Sequence, residues 1–272
     1  MRLARFRPIG IAAVAGLLVG LLSGVIGVGG GELRLPVLIA ILGFAAKVAA
    51  PINLIVTIIT LAGGIAARLA GDVFAETAGF AAEAVVLALG AAPAAYFGAA
   101  LLRRLNNRKL ARVLAVLLLA IGVLMMAESL LGDGAINIAV HSMPARLVLC
   151  LVIGAAVGIV VGLLGVGGNE LMIPFLVIVL GLPIKEAGSI SLLISIPVVL
   201  VSLWRFQALR AFKHRDRDVM RTIVPLALGS VAGALGGGLL APSAPNGVLK
   251  FLLGAILLFS AWRTYVHRDD KA

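Results

Sequence analysis

The sequence predicts an all-α integral membrane protein built from two inverted repeats of about five helical segments each, with short glycine-interrupted segments meeting near the midplane. Three observations carry that prediction: an apolar content outside the soluble range, a motif that recurs at a fixed offset, and basic connectors that alternate between the halves. Of the 272 residues, 62% are apolar and 13% charged, and the mean hydropathy is +1.16. Soluble globular domains hold about 45–50% apolar residues. Runs such as 9–28 and 111–127 are long enough to cross a hydrocarbon core of about 30 Å.

The repeat is read from GVGGGELRLP at 27–36 and GVGGNELMIP at 165–174. The same offset pairs Gly24 with Gly162, Gly43 with Gly181, Lys47 with Lys185 and Ala49 with Ala187. One residue more pairs Gly90 with Gly229, Gly98 with Gly237 and Asn107 with Asn246. The chain is an internal duplication, with a first repeat at 1–140 and a second at 141–272 forming one membrane domain. The apolar segments are 9–28, 33–46, 51–70, 79–102 and 109–131, then 146–166, 171–183, 189–206, 222–241 and 247–264. The second of each set is too short to span comfortably, which is the pattern that points to a central binding site in transporters. Pro51, Pro93, Pro197 and Pro225 are expected to begin or kink helices.

Charge sets the orientation of the halves. After the third segment, the first half is acidic (Asp72, Glu76) whereas the second reads RFQALRAFKHRDRD. After the fourth, the first half reads RRLNNRKLAR and the second the uncharged APSAPNG. Equivalent connectors therefore face opposite sides, and the halves are inverted. By the positive-inside rule the N-terminus, 103–112, 205–221 and the C-terminus are cytoplasmic, in a multi-pass protein of the cytoplasmic membrane. Trp204, Trp262 and Tyr265 then fall at the cytoplasmic interface. Inversion needs an odd number of crossings per half, which five segments give, as do three if the first two form a re-entrant hairpin. The arginine-rich start resembles a signal peptide, but its apolar run continues into the repeated motif and reads as a retained helix.

The net charge of +11 does not point to nucleic acid, because the basic residues sit in connectors with no interleaved aromatic rings. Cys150 is the only cysteine, so no intrachain disulfide or thiolate cluster forms. The parts of an intramembrane enzyme are missing: His141, His214 and His267 lie in connectors or the tail, and no serine has a histidine or lysine neighbour forming a recognisable dyad. GVGGGE also lacks the lysine and hydroxyl of a nucleotide loop. No cofactor or metal is expected. The partners are a small-molecule or ion substrate and the lipid bilayer, and a homodimer is compatible with the sequence.

The site is expected where the glycines fall. Gly27, Gly29, Gly30 and Gly31, with Gly165, Gly167 and Gly168, predict unwound turns between segments. Such backbone must be buried in protein or line a wet cavity, and the helix ends it opens suit an anion. Close helix packing is the competing use of small residues. Glu32 and Glu170 are paired by the repeat and are expected to converge; a carboxylate that exchanges a proton and a fixed ion pair with Arg34 both answer the cost of burial there, about 2.5–3.5 kcal/mol. Asn53 and Thr57 share one helical face, and Asn169, Ser191 and Ser195 supply matching polar groups in the second half. They are candidates for substrate binding or for helix-to-helix hydrogen bonds.

GVGGGELRLP and GVGGNELMIP, followed by AAPINL and AGSISL, give the chain its resemblance to the TauE/SafE family of sulfite exporter-like transporters, over nearly its whole length. The resemblance implies a secondary transporter of small sulfur-containing or organic anions such as sulfite or sulfonates. It assigns the family's motif positions to Gly27, Gly29, Gly30, Gly31 and Pro36, to Gly165, Gly167, Gly168 and Pro174, and then to Asn53 and Ser191. Glu32, Glu170, Asn169 and Arg34 depart from the usual pattern and bear on the substrate. The expectation is an alternating-access transporter, proton coupled through Glu32 or Glu170; the alternative is an uncoupled channel on the same scaffold.

Overall fold

The computed structural model describes residues 3–38, 42, 46–70, 75–101, 107–132, 140, 142–164, 167–208 and 217–266. Among these, all regular structure is helical: α1 (Leu3–Ile26), α2 (Gly31–Pro36), α3 (Ala46–Ala70), α4 (Ala81–Leu101), α5 (Asn107–Leu131), α6 (Met143–Leu164), α7 (Asn169–Ile178), α8 (Ile184–Ala208), α9 (Arg217–Leu240) and α10 (Asn246–Val266), with short 3-10 turns before α4 and α10. Each predicted segment has its helix. Six are long and apolar enough to cross a membrane: Ile9–Ile26, Ala49–Ala70, Ala81–Ala100, Met143–Leu163, Ile184–Arg205 and Ile223–Ser243. At 1.5 Å per residue, α2 is about 9 Å long and α7 about 15 Å, so neither spans.

Several boundaries differ from the sequence expectation, those of α3 and α8 among them. Helices α3 and α8 begin at Ala46 and Ile184, about a turn earlier than the apolar runs, so that Pro51 lies inside α3 rather than starting it. The reason is that polar Lys47, Lys185 and Glu186 occupy the first turns, where helix propensity and not hydropathy decides the backbone. Pro93, Pro197 and Pro225 also lie inside helices. The end of α7 closes on a left-handed glycine: Gly181 has φ 70°, and the Leu182 N–H donates back to the Leu176 carbonyl at 3.1 Å. Its repeat counterpart, Gly43, lies outside the described residues.

Helix α7 is buried along its entire length and forms the middle of the main apolar core with residues of α4, α6, α8 and α10. Around it, α1 packs along α9, α4 along α6, α5 against α10, and α3 against α8, while α3 also meets α9 as α8 meets α4. Every one of these pairs recurs when each helix is replaced by its repeat counterpart. The recurrence holds at single residues. Gly16, Gly20 and Gly24 lie against the carbonyls of Leu226, Ser230 and Ala234, as Gly154, Gly158 and Gly162 lie against those of Leu87, Ala91 and Ala95. A methyl group at any of the six would overlap the neighbouring backbone, so small residues are what let these helices touch.

Large apolar side chains cover the outside, among them Val14, Leu18, Leu89, Phe97, Val148 and Leu228. Such a surface suits hydrocarbon and not water. Trp204 and Trp262 are exposed as well; the side chain of Tyr265 lies outside the described residues.

Candidate functional site

The helices break at the two glycine motifs, and the breaks lie against each other. After α1 the chain leaves helical form at 27–30, with Gly27 at φ 90° and Gly30 at φ 68°; before α7, Gly168 takes φ 75°. Gly30 and Gly168 are repeat counterparts that cap α2 and α7 in the left-handed region, where a side chain would be strained. Gly31 serves closeness instead: a Cβ there would stand 3.1 Å from the Gly167 nitrogen, whereas one on Gly29 or Gly167 would meet the Thr57 methyl at 3.3 or 3.4 Å. Gly165 lies outside the described residues.

Polar side chains of α3, α7 and α8 surround this junction. Asn53, Thr57, Asn169, Ser191 and Ser195 are all fully buried. The Asn53 amide donates to the Gly31 carbonyl at 3.0 Å. On the other side, Asn169 Nδ2 and Ser191 Oγ both donate to the Gly27 carbonyl, each at 3.2 Å, and Ser195 Oγ donates to Asn169 Oδ1. Second-half side chains thus hold the first-half turn.

Arg34 is the cation of the junction, and it is completely buried. Its Nη1 donates to Thr57 Oγ1 at 3.1 Å and its Nη2 to Thr60 Oγ1 at 3.0 Å, with a longer contact from Nη2 to the Gly29 carbonyl at 3.5 Å. Hydrogen bonds from a charged donor contribute about 1.5–3 kcal/mol each, enough to offset a burial cost of about 2.5–3.5 kcal/mol. Glu170, fully buried on α7, lies close enough for its carboxylate to attract the Arg34 guanidinium. A charge acting on Arg34 therefore comes from the other half of the chain. The side chain of Glu32 lies outside the described residues. In the repeat, Arg34 corresponds to Met172, also fully buried, so the described junction holds its cation on the first-half side.

Sequence reasoning missed two contributors. Thr60 stands three residues after Thr57 on the same face of α3, a spacing that extends the polar stripe and was open to be read. Arg68, near the end of α3, reads in sequence as a cation reaching for the interface. Instead it is fully buried: Nη1 donates to Ser189 Oγ at 2.6 Å and the Lys185 carbonyl at 2.8 Å, and Nη2 to the Gly24 and Val25 carbonyls at 3.2 Å. It fastens the end of α1, just ahead of the Gly27 turn, to the first turns of α8. No local sequence signal marks it.

Taken together, the junction offers a guanidinium, two amides and several hydroxyls as donors, with one described carboxylate beside them. Among the described residues no three His, Cys, Asp or Glu side chains gather as metal ligands. The family model for the sulfite exporter TauE/SafE matches residues 12–214, well over half of the chain. The chain belongs to the TauE/SafE family. No curated protein and no solved structure matches it. Membership makes it a multi-pass membrane protein of a transporter family, in keeping with its six membrane-length helices. The TauE/SafE match runs from α1 to just past α8 and takes in both glycine motifs.

Proposed function

We propose that this protein is an alternating-access secondary transporter of a small anion, sulfite, a sulfonate or a related organic anion, in the cytoplasmic membrane with both termini cytoplasmic. Its site is the junction of the two glycine turns near the midplane, and residues 1–140 and 141–272 act as inverted repeats that rock or gate against each other. The reciprocal contacts of α1 with α9 and α4 with α6 support the repeat reading, because exchange of identical contacts is the mark of a two-fold relation.

The observation that carries the reading is the buried Arg34 within reach of Glu170's charge. With Glu170 ionised, the guanidinium is neutralised and an anion gains little there. Protonation of Glu170 frees the positive charge, so anion and proton occupy the site together. Thr57, Thr60, Asn53 and Asn169 supply the directional donors, and Glu32 is the counterpart carboxylate in the first half.

Flux of sulfite, sulfate, a sulfonate and a cation through proteoliposomes at two pH values tests this. Wild-type anion flux rises as the pH falls, Glu170→Gln removes that dependence, and Arg34→Met abolishes anion flux. Unchanged flux in Arg34→Met overturns the site, unchanged pH dependence in Glu170→Gln overturns the coupling, and failure to accumulate anion against its gradient under an imposed proton gradient favours a channel.

A further inference from the structure

Outside the junction, an apolar groove of about 550 Å³ opens on the outer surface between α4 and α8. Its walls include Leu89, Ala92, Pro93 and Phe97 on α4, and Pro197 and Val201 on α8. Leu89 and Phe97 are among the most exposed apolar side chains of the chain, so the groove faces hydrocarbon. Each wall carries a proline within the helix, Pro93 and Pro197, which has no backbone N–H to donate.

One end of the groove is polar. Tyr96 and Trp204 line it there, with ring centroids 5.6 Å apart, and Arg205 lies over the Tyr96 ring at 4.5 Å with Nη1 donating to the phenol oxygen at 3.1 Å. The guanidinium is thus held against the Tyr96 ring at the mouth. Its Nε is buried and donates to nothing among the described residues. The C-terminal parts of α4 and α8 meet here, and both lead into arginine-rich sequence, RRLNNRKLAR and RFQALRAFKHRDRD. An apolar slot ending in an arginine held on aromatic rings, next to arginine-rich sequence, is complementary to one kind of molecule, an acyl chain joined to a negatively charged headgroup.

We infer that this groove is a binding site for an anionic phospholipid, with one acyl chain lying between α4 and α8 and the headgroup phosphate on Arg205. The planar guanidinium pairs with phosphate oxygens while its face stays on Tyr96. Trp204 sits at headgroup level, as interfacial tryptophans do. Because α4 comes from the first half and α8 from the second, the lipid touches both halves. The site is separate from the Arg34 junction and stands whether or not that junction carries anions.

The test uses the full chain purified in detergent. Thermal unfolding is followed with phosphatidylglycerol, phosphatidylcholine or glycerol phosphate added, and native mass spectrometry counts the lipids retained. For the wild type, phosphatidylglycerol raises Tm by several degrees more than phosphatidylcholine, and glycerol phosphate leaves it unchanged. Arg205→Gln loses the preference for the anionic lipid, and Ala92→Phe, which fills the groove without touching the charge, loses phosphatidylglycerol retention. The inference is overturned if Arg205→Gln keeps the preference, if Ala92→Phe retains the lipid as the wild type does, or if glycerol phosphate alone reproduces the stabilisation.

Discussion

The side-chain amide of Asn169 donates to the carbonyl of Gly27 at 3.2 Å, a hydrogen bond that ties the start of the second short helix to the turn ending the first long one. The residue occupies the place of Gly31 in the repeat, so the link exists on one side only. Asn169→Ala removes it together with the acceptor used by Ser195. The Gly27 carbonyl keeps the Ser191 hydroxyl, but the buried Ser195 hydroxyl loses its acceptor, and a loss of about 1–3 kcal/mol is expected. Denaturation in detergent checks this; wild-type stability would mean the turn is held by other contacts.

The glycine stripes should be intolerant in proportion to their contacts. Gly158→Ala drives a methyl into the Ala91 carbonyl, and separation of α4 from α6 costs about 1–3 kcal/mol or more. Gly10→Ala is the control: nothing lies within 4 Å of its added Cβ, and in a helix alanine is favoured by about 1 kcal/mol. Folded yield by size exclusion and Tm should fall for the first and hold or rise for the second.

Much of this architecture was legible in the chain. Hydropathy alone placed ten helical segments, since each apolar run becomes a helix, and the offset between Gly27 and Gly165 announced the duplication. Hydropathy could not place the starts of α3 and α8, because backbone continues helically through charged residues at an interface. Long-range electrostatics was the other gap. Sequence leaves Arg34 to either Glu32 or Glu170, and Glu170, 136 positions away in the chain, is the described carboxylate that acts on it. Arg68 was invisible because its acceptors are backbone carbonyls, which every residue has.

Arg68→Met should separate fold from turn geometry. The substitution keeps the apolar stem but abandons the Gly24, Val25 and Lys185 carbonyls and the Ser189 hydroxyl. Loss of several charged-donor hydrogen bonds is expected to cost about 3–5 kcal/mol. Arg68→Lys, with a single ammonium in place of a fork, should recover only part of it. Recovery of full stability by lysine would show that charge alone, without the fork, suffices.

Lys250 and Glu128 form a buried pair, 2.8 Å apart, joining α10 to α5. Lys250→Met alone takes the ammonium away from a buried carboxylate and should destabilise by about 3–5 kcal/mol, whereas Lys250→Met with Glu128→Met should return close to wild type. A double-mutant cycle on chemical denaturation measures the coupling. Additive losses would mean the two charges are served by other groups.

The pairing of α1 with α9 has a consequence for how the protein is made. Roughly 200 residues separate these helices, so at about 5–20 residues per second the ribosome takes some 10–40 s to deliver the second after the first. Throughout that interval the Gly16, Gly20 and Gly24 face has only lipid or an insertase to lie against. Biogenesis must shelter a bare glycine seam until the last quarter of the chain arrives, and a nascent chain stalled before residue 217 would leave it for quality-control proteases to find.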